Sequence, residues 1–242
     1  MCLSLIRKPL EMDYLLQGIH QFHTQVFQQE KNFFRRLADG QSPRVLFISC
    51  SDSRVDPSLI TQADPGELFV LRNTGNMVPT FGASDGGEAA SIEYALSVLN
   101  VEDIVVCGHT QCGAMKALLD PGSVESLPLI RDWLRHAEST RRVITENYAD
   151  LKGEALLEKT VQEHVLMQIE NLQTHPAVAS KLQRGELTLH GWIYGLSTGK
   201  IHAYNSAAGA FVPLGEEIAR SGIPAPLRQR PVKKSARKKS GK

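Results

Sequence analysis

Long apolar runs are missing from this 242-residue chain: no stretch approaches the ~18 uninterrupted apolar residues of a membrane span. The opening MCLSLIRKPLEMD is too short in its apolar part, and too soon acidic, for a secretory leader. Cysteine is scarce as well, with only Cys2, Cys50, Cys107 and Cys112. In a chain of this size read as intracellular, four cysteines argue against a disulfide framework and for metal binding or catalysis wherever a pair sits among other ligands. Cys2 is terminal and Cys107 lies in an apolar run, so neither is expected to carry chemistry. Acidic residues are absent from positions 221–242, which hold eight lysines and arginines. Setting those eight aside leaves 19 basic against 26 acidic residues, a net of −7 under an overall charge of +1. An acidic body with a basic tail argues against nucleic-acid binding by the globular part.

What is present is an alternation of short apolar strands and helices. Residues 12–39 read as one helix, with Leu15, Ile19, Phe22 and Val26 as a buried stripe and Gly40 as its stop. Buried strands are expected at 44–49 (RVLFIS), 67–71 and 103–107 (DIVVC). Helices are expected at 86–99, from Cys112 to Leu119, at 127–148 with a break, and at 154–174, where Leu157, Val161, Val165, Ile169 and Leu172 share a face. Residues 187–194 and 201–204 read as a terminal strand pair. This pattern predicts an α/β fold: a mostly parallel β-sheet flanked by helices, with an N-terminal helical arm. The expected organisation is a segment 1–12, a domain 13–214 and a basic, unstructured tail 215–242.

In open α/β sheets ligands gather beyond the carboxyl ends of the strands. Two strands here finish in metal-type donors: Cys50-Ser51-Asp52-Ser53-Arg54, and Cys107-Gly108-His109-Thr110-Gln111-Cys112-Gly113. A His-x-x-Cys pair is weak evidence by itself, and a cysteine ending a strand is more often packing than ligand. Both loops together, each ending a buried strand, carry the weight. Catalytic zinc sites use three protein ligands and leave a position for water, whose pKa falls to about 7. Cys50, His109 and Cys112 make such a Cys₂His set. Asp52 and Arg54 are either a plain loop ion pair or a carboxylate held off the metal by a guanidinium and left to orient water.

At these residues the chain resembles the β-class carbonic anhydrases. The resemblance lies in CSDSR (50–54), CGHTQCG (107–113), Pro65-Gly66-Glu67-Leu68-Phe69, Arg72-Asn73-Thr74-Gly75-Asn76, Gly86-Gly87 and His190-Gly191-Trp192-Ile193-Tyr194, and spans roughly 13–214. It implies one zinc per subunit on Cys50, His109 and Cys112, with Asp52 and Arg54 as a catalytic dyad. The reaction implied is reversible hydration of carbon dioxide to bicarbonate and a proton. The plant-type branch adds Gln41 as a substrate hydrogen-bonding residue, and Phe69 and Tyr94 as walls of an apolar pocket. Phe47 stands where a branch regulated by bicarbonate has tryptophan, which implies the open arrangement with Asp52 off the metal. Thr74 and Gly195 depart from the family pattern, in place of a small apolar residue and an acid.

The implied assembly is a dimer or a multiple of dimers, and the implied location is the cytoplasm. Some cyanobacterial relatives reach carboxysomes through C-terminal extensions. Two alternatives stand beside this reading: hydrolysis of carbonyl sulfide or carbon disulfide on the same scaffold, and a docking module whose basic tail meets an acidic partner.

Overall fold

The computed structural model describes residues 12–83 and 86–214. Residues 1–11 of the expected segment 1–12, and the whole of the expected tail 215–242, lie outside the described residues. The chain divides into two compact units, one running to Gln41 and one beginning at Ser42.

The first unit is helical but not one continuous helix. It consists of α1 (Asp13–Gln21), a π-helical stretch Phe22–Phe27, and α2 (Lys31–Ala38). The predicted stripe is not a buried one: Leu15, Ile19, Phe22 and Val26 are all 40–64% exposed. Farther along, Phe22, Phe27 and Phe34 cluster ring against ring, with centroids 5.2–6.4 Å apart. Apolar periodicity sets a helix face, but whether that face is covered depends on what packs against it.

The second unit is built on a six-stranded sheet in the order β2-β1-β3-β4-β5-β6. The strands are β1 (Val45–Cys50), β2 (Leu68–Asn73), β3 (Asp103–His109), β4 (Thr188–Tyr194), β5 (Ile201–Asn205) and β6 (Ala210–Pro213). The first four pair in parallel and the last three antiparallel. β1 and β3 are buried almost end to end, which explains their unbroken apolar sequence. The helices are α3 (Pro57–Thr61), α4 (Gly87–Ser97), α5 (Gly113–Leu119), α6 (Pro128–Leu134), α7 (Glu138–Asn147), α8 (Gly153–Gln173) and α9 (Pro176–Gln183). The expected break within 127–148 is a 3₁₀ turn, Arg135–Ala137, between α6 and α7. Among the described residues no helix is long and apolar enough to cross a membrane.

α8 lies directly on β3 and β4. Its Leu157, Val161, Val165 and Leu172 are buried, each contributing about 1.5–3 kcal/mol over exposure. The approach is close because β3 carries Gly108: a Cβ there would sit 2.8 Å from Val165 Cγ2. The strand therefore runs on through the glycine to His109, two residues beyond its predicted end.

From β1 the chain moves to β2 on one side, then crosses to β3 on the other. The β1/β3 boundary is thus the point where strand order reverses, where such sheets open a crevice.

Candidate metal centre

Cys50 is the last residue of β1 and His109 the last of β3. Cys112 caps α5 after a tight turn in which Gln111 takes a left-handed φ of 58°. The sequence placed the donors on loops, but two of the three are mounted on the sheet itself. All three are buried, and their ligand atoms lie within 4.8 Å of one another. Zinc bonds of ~2.3 Å to sulfur and ~2.0 Å to nitrogen space tetrahedral ligand atoms roughly 3.5–3.8 Å apart, so a small contraction closes the set.

The protonation pattern suits a cation. His109 Nδ1 lies 2.9 Å from the Thr110 carbonyl, so that nitrogen carries the proton and donates it. Nε2 is left with a lone pair, fully buried and without a hydrogen-bond partner. An orphaned acceptor facing two sulfurs is costly unless something positive sits there. The Cys50 thiol is held below its usual range, chiefly by a hydrogen bond from Cys112, with help from the Gly75 N–H at 3.4 Å. Cys112 is held above its own range by the same pairing. Two thiolates this close repel, and a divalent cation lets both ionise. The donor set fits zinc.

Asp52 stands beside this cluster, its Oδ2 3.8 Å from His109 Nε2. Arg54 grips it as a fork: Nε donates to Oδ1 at 2.9 Å and Nη2 to Oδ2 at 2.7 Å, while the Arg54 backbone N–H adds a third bond to Oδ1. Those bonds hold the Asp52 carboxyl well below the usual carboxylate range. Oδ2 thus takes its recorded hydrogen bond from Arg54 while standing 3.8 Å from the His109 ring nitrogen.

Sequence reasoning missed how the end of β2 and the loop after it brace the site. Arg72 donates to the Cys50 carbonyl at 3.0 Å and the Asp52 carbonyl at 2.8 Å, fixing the backbone of the CSDSR turn. Asn73 closes the 73–77 turn through Met77 in both directions. Gly75, at φ +83°, aims its N–H at Cys50 Sγ, and a Cβ there would lie 3.0 Å from that of Ala114. The Arg-Asn-x-Gly-Asn motif was legible; its function as a brace was not.

Beneath this loop lies His164, fully buried in α8. Val78 N–H donates to Gln168 Oε1, which turns the Gln168 amide nitrogen toward His164 Nδ1. Nδ1 accepts there and from Thr140, so Nε2–H donates to the Gly75 carbonyl at 2.8 Å. Burial depresses its pKa to about 4. The unfolded chain thus binds a proton near pH 6.5 that the folded chain refuses until about pH 4. Stability is full above pH 6.5 and falls, by on the order of 3 kcal/mol, as pH drops toward 4. In chemical denaturation at several pH values, His164→Gln should flatten that slope. An unchanged slope would refute the assignment.

The remaining candidates are placed differently. Phe69 and Tyr94 form a ring pair 6.0 Å apart. Phe69 lies four residues before Asn73, the partner of Cys50, and hence about 13 Å down the strand. Gln41 is exposed in the link ahead of β1.

The centre thus defines an α/β protein with a three-donor, metal-type cluster at the switch point of a parallel sheet. The carbonic anhydrase family profile matches residues 45–201. A carbonic anhydrase of Synechocystis is 52% identical over 202 residues, covering 83% of this chain and 74% of the relative. One of Pseudomonas aeruginosa is 45% identical over 202 residues, covering 84% and 91%. The solved β-carbonic anhydrase CcaA superposes with a TM-score of 0.82 at 51% identity, covering 84% of this chain and 98% of the other. A tetrameric β-carbonic anhydrase of Sordaria macrospora follows at 0.73 and 29%, covering 83% and 98%. The chain belongs to the β-carbonic anhydrase family of enzymes.

Proposed function

We propose that this enzyme hydrates carbon dioxide reversibly to bicarbonate and a proton, with one zinc ion per subunit held by Cys50, His109 and Cys112. The observation that carries it is the buried His109 Nε2, protonless and unpartnered, facing two cysteine sulfurs. Zinc bound there supplies Lewis acidity that makes a water molecule nucleophilic near neutral pH. The chain's own residues do the rest. Asp52 Oδ2 accepts a hydrogen bond from the attacking water and aims its oxygen at the carbon. Arg54 keeps that carboxylate turned away from direct ligation, and Arg72 keeps the turn carrying it in place. As the new C–O bond forms, one C=O electron pair moves to oxygen, and a proton passes to solvent buffer.

Substrate contact falls to Gln41, Phe69 and Tyr94. Because Phe69 lies far down β2, the aromatic pair can wall a pocket only where a second copy brings it up. A tetrameric relative and the exposed stripe of α1 support such an assembly.

Zinc content measured beside stopped-flow hydration tests this. The expected result is one zinc per chain, activity lost on chelation and regained on re-addition. Undiminished hydration by zinc-free protein would end the proposal. Turnover of carbonyl sulfide with none of carbon dioxide would move the chain to the rival hydrolase chemistry.

A further inference from the structure

We propose, taking Cys50 as a metal ligand as above, that Trp133 is a positioning residue for that ligand and acts through the Thr74–Gly75 peptide. Trp133 is half-buried on α6, and its indole Nε1–H donates to the Thr74 carbonyl at 2.8 Å. The same peptide unit ends in the Gly75 N–H, which donates to Cys50 Sγ at 3.4 Å. The two bonds lie at opposite ends of one conjugated amide. A donor on the carbonyl draws electron density toward oxygen and leaves the N–H a stronger donor, a cooperative gain of about 10–30% per bond. The receiving atom is a thiolate, so its hydrogen bond is charge-assisted and responds most to donor strength.

Geometry holds the relay in place. His164 pins the next carbonyl, that of Gly75, at 2.8 Å. Gly75 therefore has its preceding peptide fixed by α6 and its following peptide fixed by α8. Its left-handed φ of +83° is what turns the N–H toward the sulfur. Neither Trp133 nor His164 touches Cys50; each controls the amide that does. A hydrogen bond on a ligating sulfur lowers the energy of its lone pairs and moderates donation to the metal. Trp133 thus sets both where the Cys50 sulfur points and how strongly it donates.

The test uses cobalt-substituted and zinc-loaded full-length protein. Cobalt(II) in a tetrahedral thiolate site shows sulfur-to-metal charge-transfer absorption, which reads sulfur donor strength without reference to turnover. In Trp133→Phe, which keeps an aromatic ring and loses the N–H, that band should move to longer wavelength. Although the sulfur then donates more strongly, it is also more basic and takes up more readily the proton that frees it from the metal, so zinc release to a chelator should speed up about threefold to tenfold, below the ~10–100-fold affinity cost of losing an outer-shell partner outright. His136→Ala is the packing control: its ring meets Trp133 edge-on at 5.3 Å, and its removal leaves the indole N–H untouched. It should leave the band where it is. Should Trp133→Phe fail to fold, benzothienylalanine in place of tryptophan in a Trp192→Phe background keeps the bicyclic shape, lacks the N–H and should give the same shift. A folded, fully metallated Trp133→Phe or analogue protein with the parent's band and release rate would overturn the relay. So would an equal shift in His136→Ala. A parent protein without any charge-transfer band would instead sink the metal assignment itself, and the relay with it.

Discussion

Cys50→Ser should leave the protein folded, free of zinc and inert toward carbon dioxide. Serine is close to cysteine in size, and position 50 is buried at the end of β1 with its backbone paired to β2, so the sheet has no reason to open. The hydroxyl, however, does not ionise at neutral pH and offers a hard, weak donor where a soft thiolate stood. Cys112 and His109 then face each other as a two-donor remnant. The loss of affinity must exceed the ~10–100-fold typical of outer-shell changes, because a bond to the metal itself is gone. Hydration should fall by on the order of a thousandfold or more, since the Lewis acid leaves with the ligand. Elemental analysis, circular dichroism and stopped-flow assay on one sample decide the matter. A Cys50→Ser protein with one zinc per chain and unaltered turnover would remove Cys50 from the ligand set.

Asp52→Ala should separate chemistry from metal binding. None of the three donors depends on the Asp52 side chain, so zinc content should stay at one per chain. Turnover should drop by roughly 10²–10⁴-fold, the range for removing a group that positions or exchanges a proton in the transition state. Arg54→Ala should do less damage: Asp52 keeps its charge and loses only the fork that orients it. Equal effects from the two would mean that the ion pair merely ties the loop. Zinc loss in Asp52→Ala would mean that the carboxylate helps hold the metal.

The parallel strands and α8 were legible because burial on both faces writes an unbroken apolar run, and burial on one face writes a 3.6-residue stripe. The limit of β3 was not. Gly108 looks like a strand breaker, yet it is the point where the strand admits the valines of α8, and pairing continues to His109. β6 was missed because four residues with one aromatic show no alternation. The α1 stripe was read as buried because periodicity reports which residues share a face, not what covers it.

At the centre, residue types named the donors, whereas the bracing runs through backbone atoms that leave no mark in side-chain identity. Trp133 is far from Gly75 in sequence and meets a carbonyl, not a side chain. The departure at Thr74 is explained by the same fact: only its carbonyl is used, so many residues would serve there. At Gly195 a Cβ would meet the Thr198 hydroxyl oxygen at 2.5 Å, so the acid expected there would require the Thr198 side chain to turn away.

Because Cys50 and His109 stand on the final rungs of neighbouring strands, the donors meet only when β1 and β3 are aligned to the residue. The register pairs Ser49 with Cys107, and a slip of one position would carry one donor about 3.3 Å along the sheet relative to the other. A chain paired one residue out of step could collapse and still bury much of its apolar surface, but it would present no place for zinc. If zinc is held there as proposed, its uptake would act as a proofreader of strand alignment, rewarding only the correctly threaded fold.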